Sequence, residues 1–203
     1  MDNTKRHTSN RLCGVNGSAV EQANVRHTLA IQVDNESGVL SQVTRLFSRK
    51  GYNIESLAVG ATDNPAISHM TIEVLADERH AELLCNQLRK LLPVHQVKRL
   101  DTSNAVRREL VLIKVRAESR DVRNEIIQIV NIFRGSIIDV GPETLTLSLI
   151  GAEDKTEAVE TLLREFGILE LVRTGMIALE RGQRTIDEKT KEKGEFNYGK
   201  NVL

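Results

Sequence analysis

The sequence contains little aromatic surface and no excess of charge of either sign. Aromatic residues make up 3% of the 203 residues and Trp is absent, so a core must be built from Leu, Ile, Val and Ala. The 28 Lys and Arg residues balance the 28 Asp and Glu residues. Zero net charge removes the long-range attraction to phosphate backbones and anionic lipids. The composition is typical of a soluble globular protein and argues against nucleic acid and membrane as partners.

Cysteines and long apolar runs are also scarce. Cys13 and Cys85 offer neither metal-ligand spacing nor a disulfide framework, which indicates a reducing, cytoplasmic location, with Cys85 as a core residue. No apolar run approaches the roughly 20 residues of a membrane helix, and the N-terminus contains no apolar segment of a signal peptide. We therefore expect residues 1–26 to be a disordered tail, with an organelle transit segment as the alternative because the tail is basic.

The apolar pattern between residues 27 and 101 predicts one βαββαβ domain. Period-two alternation marks the strands, and i, i+3, i+4 spacing marks the helices, with Ser37 and Asp77 as expected N-caps. The predicted elements are a strand at 28–33, a helix at 39–50, strands at 54–61 and 68–75, a helix at 78–92 and a strand at 94–100. This order is that of a ferredoxin-like fold, in which both helices cover one face of an antiparallel sheet.

The same order of elements repeats in the second half of the chain. A polar linker is expected at 102–108, a second ferredoxin-like domain at 109–181, and a flexible charged tail at 182–203. The predicted elements of the second domain are strands at 110–115, 136–140, 145–150 and 168–173, a helix with Val122, Ile126, Ile129, Val130 and Phe133 inward, and a helix at 154–166 with Ala158, Leu162 and Phe166 inward. The fold class is therefore α+β, with two tandem βαββαβ domains.

The C-terminal tail contains two of the six aromatic residues, Phe196 and Tyr198. A short docking peptide would explain them, but we favour a frayed terminus because chain ends are commonly disordered.

The most informative segment is the turn between the first strand and the first helix, which reads Asp34-Asn35-Glu36-Ser37-Gly38-Val39-Leu40. A glycine at the start of a helix leaves main-chain N–H groups pointing outward at the positive end of the helix dipole. A carboxylate can approach these groups closely because Gly38 has no Cβ. The equivalent turn of the second domain, 116–121, has no glycine, so we expect a ligand pocket in the first domain only.

Three segments of the chain resemble the regulatory (small) subunits of acetolactate synthase, also called acetohydroxyacid synthase. They are Arg26-His27-Thr28-Leu29, the turn from Asp34 to Leu40, and Arg49-Lys50-Gly51-Tyr52-Asn53-Ile54-Glu55-Ser56-Leu57. The likeness extends to about residue 181. It implies an N-terminal ACT domain that binds a branched-chain amino acid, usually valine, between two copies of the domain, followed by an ACT-like C-terminal domain.

The resemblance also implies a role for individual residues. Gly38, Val39 and Leu40 would offer N–H groups to the effector carboxylate, and Asn53 would reach the same carboxylate from the other protomer. Asn35 and Glu36 would accept hydrogen bonds from the ammonium group, and Ile54 would line the side-chain slot. No catalytic or metal-binding residue is implied, and we assign no chemistry to His69, His80 or His95.

A regulatory subunit of this family acts through a partner. The resemblance implies a homodimer through the ACT domains and a large catalytic subunit that carries thiamine diphosphate, Mg²⁺ and FAD. The small subunit would activate this enzyme and confer feedback inhibition in valine, leucine and isoleucine biosynthesis. The alternative is a stand-alone ACT-type amino-acid sensor acting on transcription, although zero net charge argues against it. A small enzyme of ferredoxin-like fold would need a catalytic constellation that the sequence does not contain.

Overall fold

A computed structural model describes residues 24–186, so the predictions for nearly all of both tails lie outside the described residues. The first half of this region contains six elements, which we call the first copy. They are β1 (Val25–Asp34), α1 (Val39–Lys50), β2 (Ile54–Ala61), β3 (Ile67–Ala76), α2 (Glu78–Leu88) and β4 (Val94–Leu100). The strands form an antiparallel sheet in the order β2-β3-β1-β4.

The second half, which we call the second copy, repeats this plan and adds one strand. Its elements are β5 (Ala105–Arg116), α3 (Arg120–Ile132), β6 (Ser136–Val140), β7 (Thr144–Gly151), α4 (Glu153–Leu163), β8 (Ile168–Arg173) and β9 (Ile177–Glu180). The sheet order is β6-β7-β5-β8, and β9 pairs with the first residues of β5. The predicted α+β fold of two βαββαβ units is confirmed.

Each copy has its own core on the helix-covered face of its sheet. In the first copy, Phe47 of α1 and Leu84 of α2 pack against alternate residues of β1 and β3, and Cys85 is buried among them as predicted. In the second copy, Ile126 and Leu163 do the same against β5 and β7. Among residues 24–186, no helix is long and apolar enough to cross a membrane.

The boundary between the copies differs from the predicted linker at 102–108. A 3-10 turn occupies Thr102–Asn104, and β5 already begins at Ala105, which is buried. The strand signal is hidden in the sequence because Arg107 and Arg108 interrupt the apolar alternation. Arg107 nevertheless belongs to the strand, and its guanidinium pairs with the buried carboxylate of Glu73 in the first copy.

Two predicted helices also need correction. The helix predicted at 78–92 ends at Leu88, and Leu92 is 98% exposed. The helix predicted at 154–166 ends at Leu163, and its inward face was assigned one residue out of phase, because Ala158 and Leu162 are exposed while Val159 and Leu163 are buried. The doublets Ala158-Val159 and Leu162-Leu163 fit both phases, so the apolar pattern alone could not decide between them.

Candidate functional site

The turn that opens α1 is anchored by Asn35. Its N–H donates to the carbonyl of Ala66 (2.8 Å), its Nδ2 donates to the carbonyl of Pro65 (2.9 Å), and its Oδ1 accepts from Ser68 Oγ (3.0 Å). These bonds fix the turn to the loop between β2 and β3. The side chain of Asn35 is used in these bonds. If Asn35 accepts a hydrogen bond from an ammonium group, as predicted, its main-chain carbonyl would be the acceptor. Glu36 is exposed beside it.

The helix itself begins without a side-chain cap. The predicted N-cap Ser37 is wrong, because the N-cap residue is Gly38, in the left-handed conformation (φ 87°, ψ −12°). Within residues 24–186, no side chain caps the N–H groups of the first turn. An L-residue is strained at this φ, so the conformation favours glycine. A Cβ built on Gly38 would meet no atom within 4 Å, so the space in front of the turn is open.

The first main-chain N–H groups of α1 are therefore available to a ligand. The helical ladder begins with the N–H of Gln42, which donates to Gly38 O (3.1 Å), and the N–H of Val39 makes only a long contact with Glu36 O (3.4 Å). No acidic residue lies in the first turn, whereas Arg49 and Lys50 complement the opposite end of the dipole. Uncapped N–H groups at a positive helix end are an anion-binding arrangement.

Asn53 and Ile54 lie at the other end of the same sheet. Ile54 is opposite Val74 on β3, whereas the end of β1 is opposite Ile67 and Ser68. Six residues of strand separate these positions, about 20 Å. The fold therefore brings together Asn35, Glu36, Gly38, Val39 and Leu40, but not Asn53 or Ile54 of the same chain. A site containing both groups needs a second chain, as the sequence prediction assumed.

The corresponding turn of the second copy is filled by its own side chains. Ser119 caps α3 by accepting from Val122 N (3.2 Å), and Asp121 lies in the first turn. Arg123 folds back and donates to the carbonyls of Ala117 (3.0 Å) and Gly141 (2.8 Å). The Ser119 cap and the carboxylate of Asp121 complement the positive end of α3, which argues against a second anion site there.

The copies contact each other through the face of the first sheet that no helix covers. Over this face, Met176 N donates to Ser56 Oγ (2.8 Å) and Ala178 N donates to Thr71 Oγ1 (3.3 Å). At Gly175, which has φ 80°, a Cβ would lie 2.9 Å from Leu57 O. The segment 174–180 is therefore fitted closely against β2 and β3, the strands nearest to Asn53.

Charged side chains that the sequence patterns did not predict lie between the copies. Glu73 is 2% exposed and pairs with Arg107, while Arg26 of β1 pairs with Glu153. Arg173 is shared by Glu109 (2.6 Å) and Glu160 (2.5 Å). Burial raises the pKa of Glu160, but hydrogen bonds from Arg173 and Arg164 outweigh it and hold this pKa below its ordinary value. In the sequence, Glu73 lies within a mainly apolar strand, and this position could have indicated a buried carboxylate.

Comparisons with known proteins cover both copies. The family model described as "AHAS small subunit-like ACT domain" matches residues 29–96, and that described as "Small subunit of acetolactate synthase" matches residues 108–182. The probable acetolactate synthase small subunit of Methanothermobacter thermautotrophicus is 46% identical over 160 residues, which is 79% of this chain and 95% of that protein. The acetolactate synthase small subunit of Aquifex aeolicus is 44% identical over 167 residues, which is 82% of this chain and 86% of that protein.

A solved structure agrees with these sequence matches. The crystal structure of the acetolactate synthase small subunit from Thermotoga maritima superimposes with a TM-score of 0.74 at 38% identity. The superposition covers 79% of this chain and 99% of that one.

Proposed function

The chain belongs to the family of acetolactate synthase small subunits, and from this premise we propose that it activates a catalytic large subunit and makes it sensitive to feedback inhibition by valine. The inhibition would control the synthesis of valine, leucine and isoleucine. The thiamine diphosphate, Mg²⁺ and FAD of the reaction would be held by the large subunit.

The observation that carries the proposal is the uncapped start of α1. An amino-acid effector needs donors for its carboxylate, acceptors for its ammonium group and a small apolar wall for its side chain. The N–H groups that follow Gly38 supply the donors, and the main-chain carbonyl of Asn35 with the exposed Glu36 supply acceptors. The apolar wall would come from Ile54 of a second chain.

A homodimer joined at the edge strand β2 would complete this site. Strand β2 is at the edge of the first sheet, and Val59 on it is 47% exposed. Ala61, at its end, lies opposite Ser68, near the opening turn of α1. Antiparallel pairing of two β2 strands would place the partner's Asn53 next to Ala61, at the end of the sheet that carries Gly38. This geometry supports a site shared by two chains.

The segment 174–180 offers a route from the effector to the catalytic partner. It bonds to Ser56 of β2 and Thr71 of β3, and it continues into the second copy through the pairing of β9 with β5. Effector binding that shifts β2 would therefore move a segment of the second copy, which we propose the large subunit senses. Allosteric coupling free energies of about 1–3 kcal/mol are sufficient for severalfold regulation.

The test reconstitutes the enzyme from purified large and small subunits and follows acetolactate formation with and without valine. The proposal predicts that the small subunit raises the activity and that valine then lowers it, while the large subunit alone is insensitive to valine. A small subunit that neither activates nor confers inhibition by any branched-chain amino acid would contradict it.

Co-purification separates this role from that of a stand-alone amino-acid sensor acting on transcription. A regulatory subunit should co-purify with a much larger FAD-containing protein, and the two should remain associated after nuclease treatment. Binding to DNA fragments in the absence of such a companion would instead select the sensor.

A further inference from the structure

A cavity of about 520 Å³ is lined by residues of both copies. One wall is the uncovered face of the first sheet, with Ala30, His69 and Thr71. The other lining residues include Val106 of β5 with Ile177 and Leu179 of β9, in the second copy. The volume falls within the range of pockets that bind small organic molecules. A molecule in the cavity would touch both copies at once.

The walls are mainly apolar, and no side chain of residues 24–186 fills the space between them. Ala30 is 1% exposed and forms a small cluster with Leu100 and Ala178 at the base of the cavity. Ile177 and Leu179 are 57% and 62% exposed. Burying these two side chains under an aliphatic ligand would be favourable in proportion to the apolar area removed from water.

The rim carries positive charge. Arg108 and Arg184 both line the cavity, and Glu180 is the acidic residue among the lining residues. The carboxylate of Glu180 is already paired with Lys98, so it does not cancel the two arginines. Charge complementarity therefore favours an anionic ligand whose charged end lies at the rim.

His69 adds unused hydrogen-bonding capacity to the wall. Its Nε2 is buried and has no hydrogen-bond partner within the described region, and burial lowers the pKa of the ring, which favours the neutral form.

We propose that this cavity is a second effector site, which takes an amphipathic monoanion of the aliphatic carboxylate class and binds it independently of the site at Gly38. The aliphatic body would lie over Ile177 and Leu179 of β9, and the carboxylate would face Arg108 and Arg184. Because both copies form the walls, an occupied cavity holds segment 174–180 against the first sheet and thereby changes the response to the first effector.

The test measures binding of sodium decanoate to the full-length protein by isothermal titration calorimetry, with decyltrimethylammonium as a probe of equal chain length and opposite charge. Decanoate should bind about tenfold more tightly than the cation, and less tightly as salt is added. Saturating valine should not displace it, and the Gly38→Asp variant should retain it. Equal affinity for both probes, or displacement of decanoate by valine, would overturn the proposal.

Matched variants locate the site. Arg108→Gln combined with Arg184→Gln should weaken decanoate binding about tenfold, whereas Arg120→Gln, a charge change on α3, should not. Leu179→Gln should weaken binding severalfold, whereas Leu162→Gln, an exposed leucine on α4, should not. Thermal unfolding of each variant identifies any that fails to fold. Unchanged binding in both folded cavity variants would overturn the proposal.

A chain that ends at Ile186 distinguishes a small ligand from the protein's own C-terminal segment. The proposal predicts the same decanoate affinity for the shortened and the full-length chain. Binding that appears only after residues 187–203 are removed would assign the cavity to that segment and would overturn the proposal.

Discussion

The two copies of the βαββαβ unit differ most at the turn that opens the first helix. In the first copy, Gly38 begins α1 in a left-handed conformation, and no side chain of the described region caps the first N–H groups. In the second copy, Ser119 caps α3, and Arg123 donates to the carbonyls of Ala117 and Gly141 beside the turn. A helix N-terminus binds an anion only if its own chain leaves the N–H groups free. The comparison shows how one fold gives a candidate receptor in one copy and a closed turn in the other.

The copies also differ in how they hold a buried carboxylate. Glu109 of the second copy bonds to Arg173 and Thr156, which belong to the same copy. Glu73 of the first copy bonds to Thr28 of its own sheet and to Arg107 of the second copy. The second copy therefore satisfies its own buried charge. In the first copy, Arg26 lies 4.0 Å from Glu73, and the closer cation is Arg107 of the second copy. This contact is one reason to expect the two copies to respond together.

The largest effect is expected from closing the open turn of the first copy. Gly38→Asp places a carboxylate against that of the effector, and such a like-charge contact costs several kcal/mol, which weakens valine binding about 1000-fold. Activation of the large subunit should persist. Gly38→Asn is the control, because Asn tolerates positive φ and has the same size without the charge. It should lose much less affinity in calorimetry, and equal losses would show that bulk rather than charge closes the site.

The self-contained charge network of the second copy is tested by Arg173→Met. Removing one partner of a buried ion pair leaves Glu109 uncompensated and should cost about 3 kcal/mol of unfolding free energy in urea. Arg164→Met is the control, because Arg164 bonds to the same Glu160 but its side chain is 69% exposed, so it should cost less than about 1 kcal/mol. Similar costs for the two variants would contradict the difference in burial that defines this network.

The contact between the copies is tested at Gly175. Gly175 has a φ of 80°, and a Cβ at this position would lie 2.9 Å from Leu57 O. Gly175→Ala must therefore displace segment 174–180 from β2. We expect the valine concentration for half-maximal inhibition of the reconstituted enzyme to rise about tenfold, within typical coupling energies. Gly182→Ala is the control. Gly182 has a similar φ of 75°, but a Cβ there would meet no described atom within 4 Å, so this variant should leave inhibition unchanged. Identical inhibition curves for both variants would remove segment 174–180 from the coupling route.

The smallest effect compares the two serines that precede the helices. Ser119→Ala removes the side-chain cap of α3 and should lower the unfolding free energy by about 1 kcal/mol. Ser37→Ala should change it by less than about 0.5 kcal/mol, because Ser37 caps nothing. Urea titrations of both variants provide the measurement. A larger loss at Ser37 than at Ser119 would reverse the assignment of open and closed turns.

Much of the fold could be predicted from local patterns. The alternation of Leu29, Ile31 and Val33 and the helical spacing of Val39, Val43 and Phe47 suffice for β1 and α1, because burial on one face imposes these periods. What could not be predicted depends on distant partners. The strand residues Arg107 and Arg108 look like linker residues until the contact of Arg107 with Glu73 is known.

In the candidate site, too, some features could be predicted from local sequence and others could not. Gly38 signalled an open turn, and the main-chain geometry agrees with that prediction. Ser37, however, was an equally good N-cap by residue type, and the backbone conformation at Gly38 excludes it. That Asn53 belongs to the other protomer came from the family resemblance, and the strand pairing supplies the separation of about 20 Å between Asn53 and Gly38 of one chain. Because the pairing of β2 with β3 separates Asn53 from Gly38 of the same chain, a site that uses both residues must be shared by two chains.

Complementation between two defective chains tests this claim most directly. Homodimers of Gly38→Asp and of Asn53→Ala should each fail to bind valine in calorimetry. A heterodimer purified through two different tags contains one site with both changes and one site with neither, so it should bind about one valine per dimer. If Gly38 and Asn53 act within one chain, the heterodimer will bind no valine. If Asn53 has no part in binding, the Asn53→Ala homodimer will itself bind valine. Either result will contradict the account of a shared site.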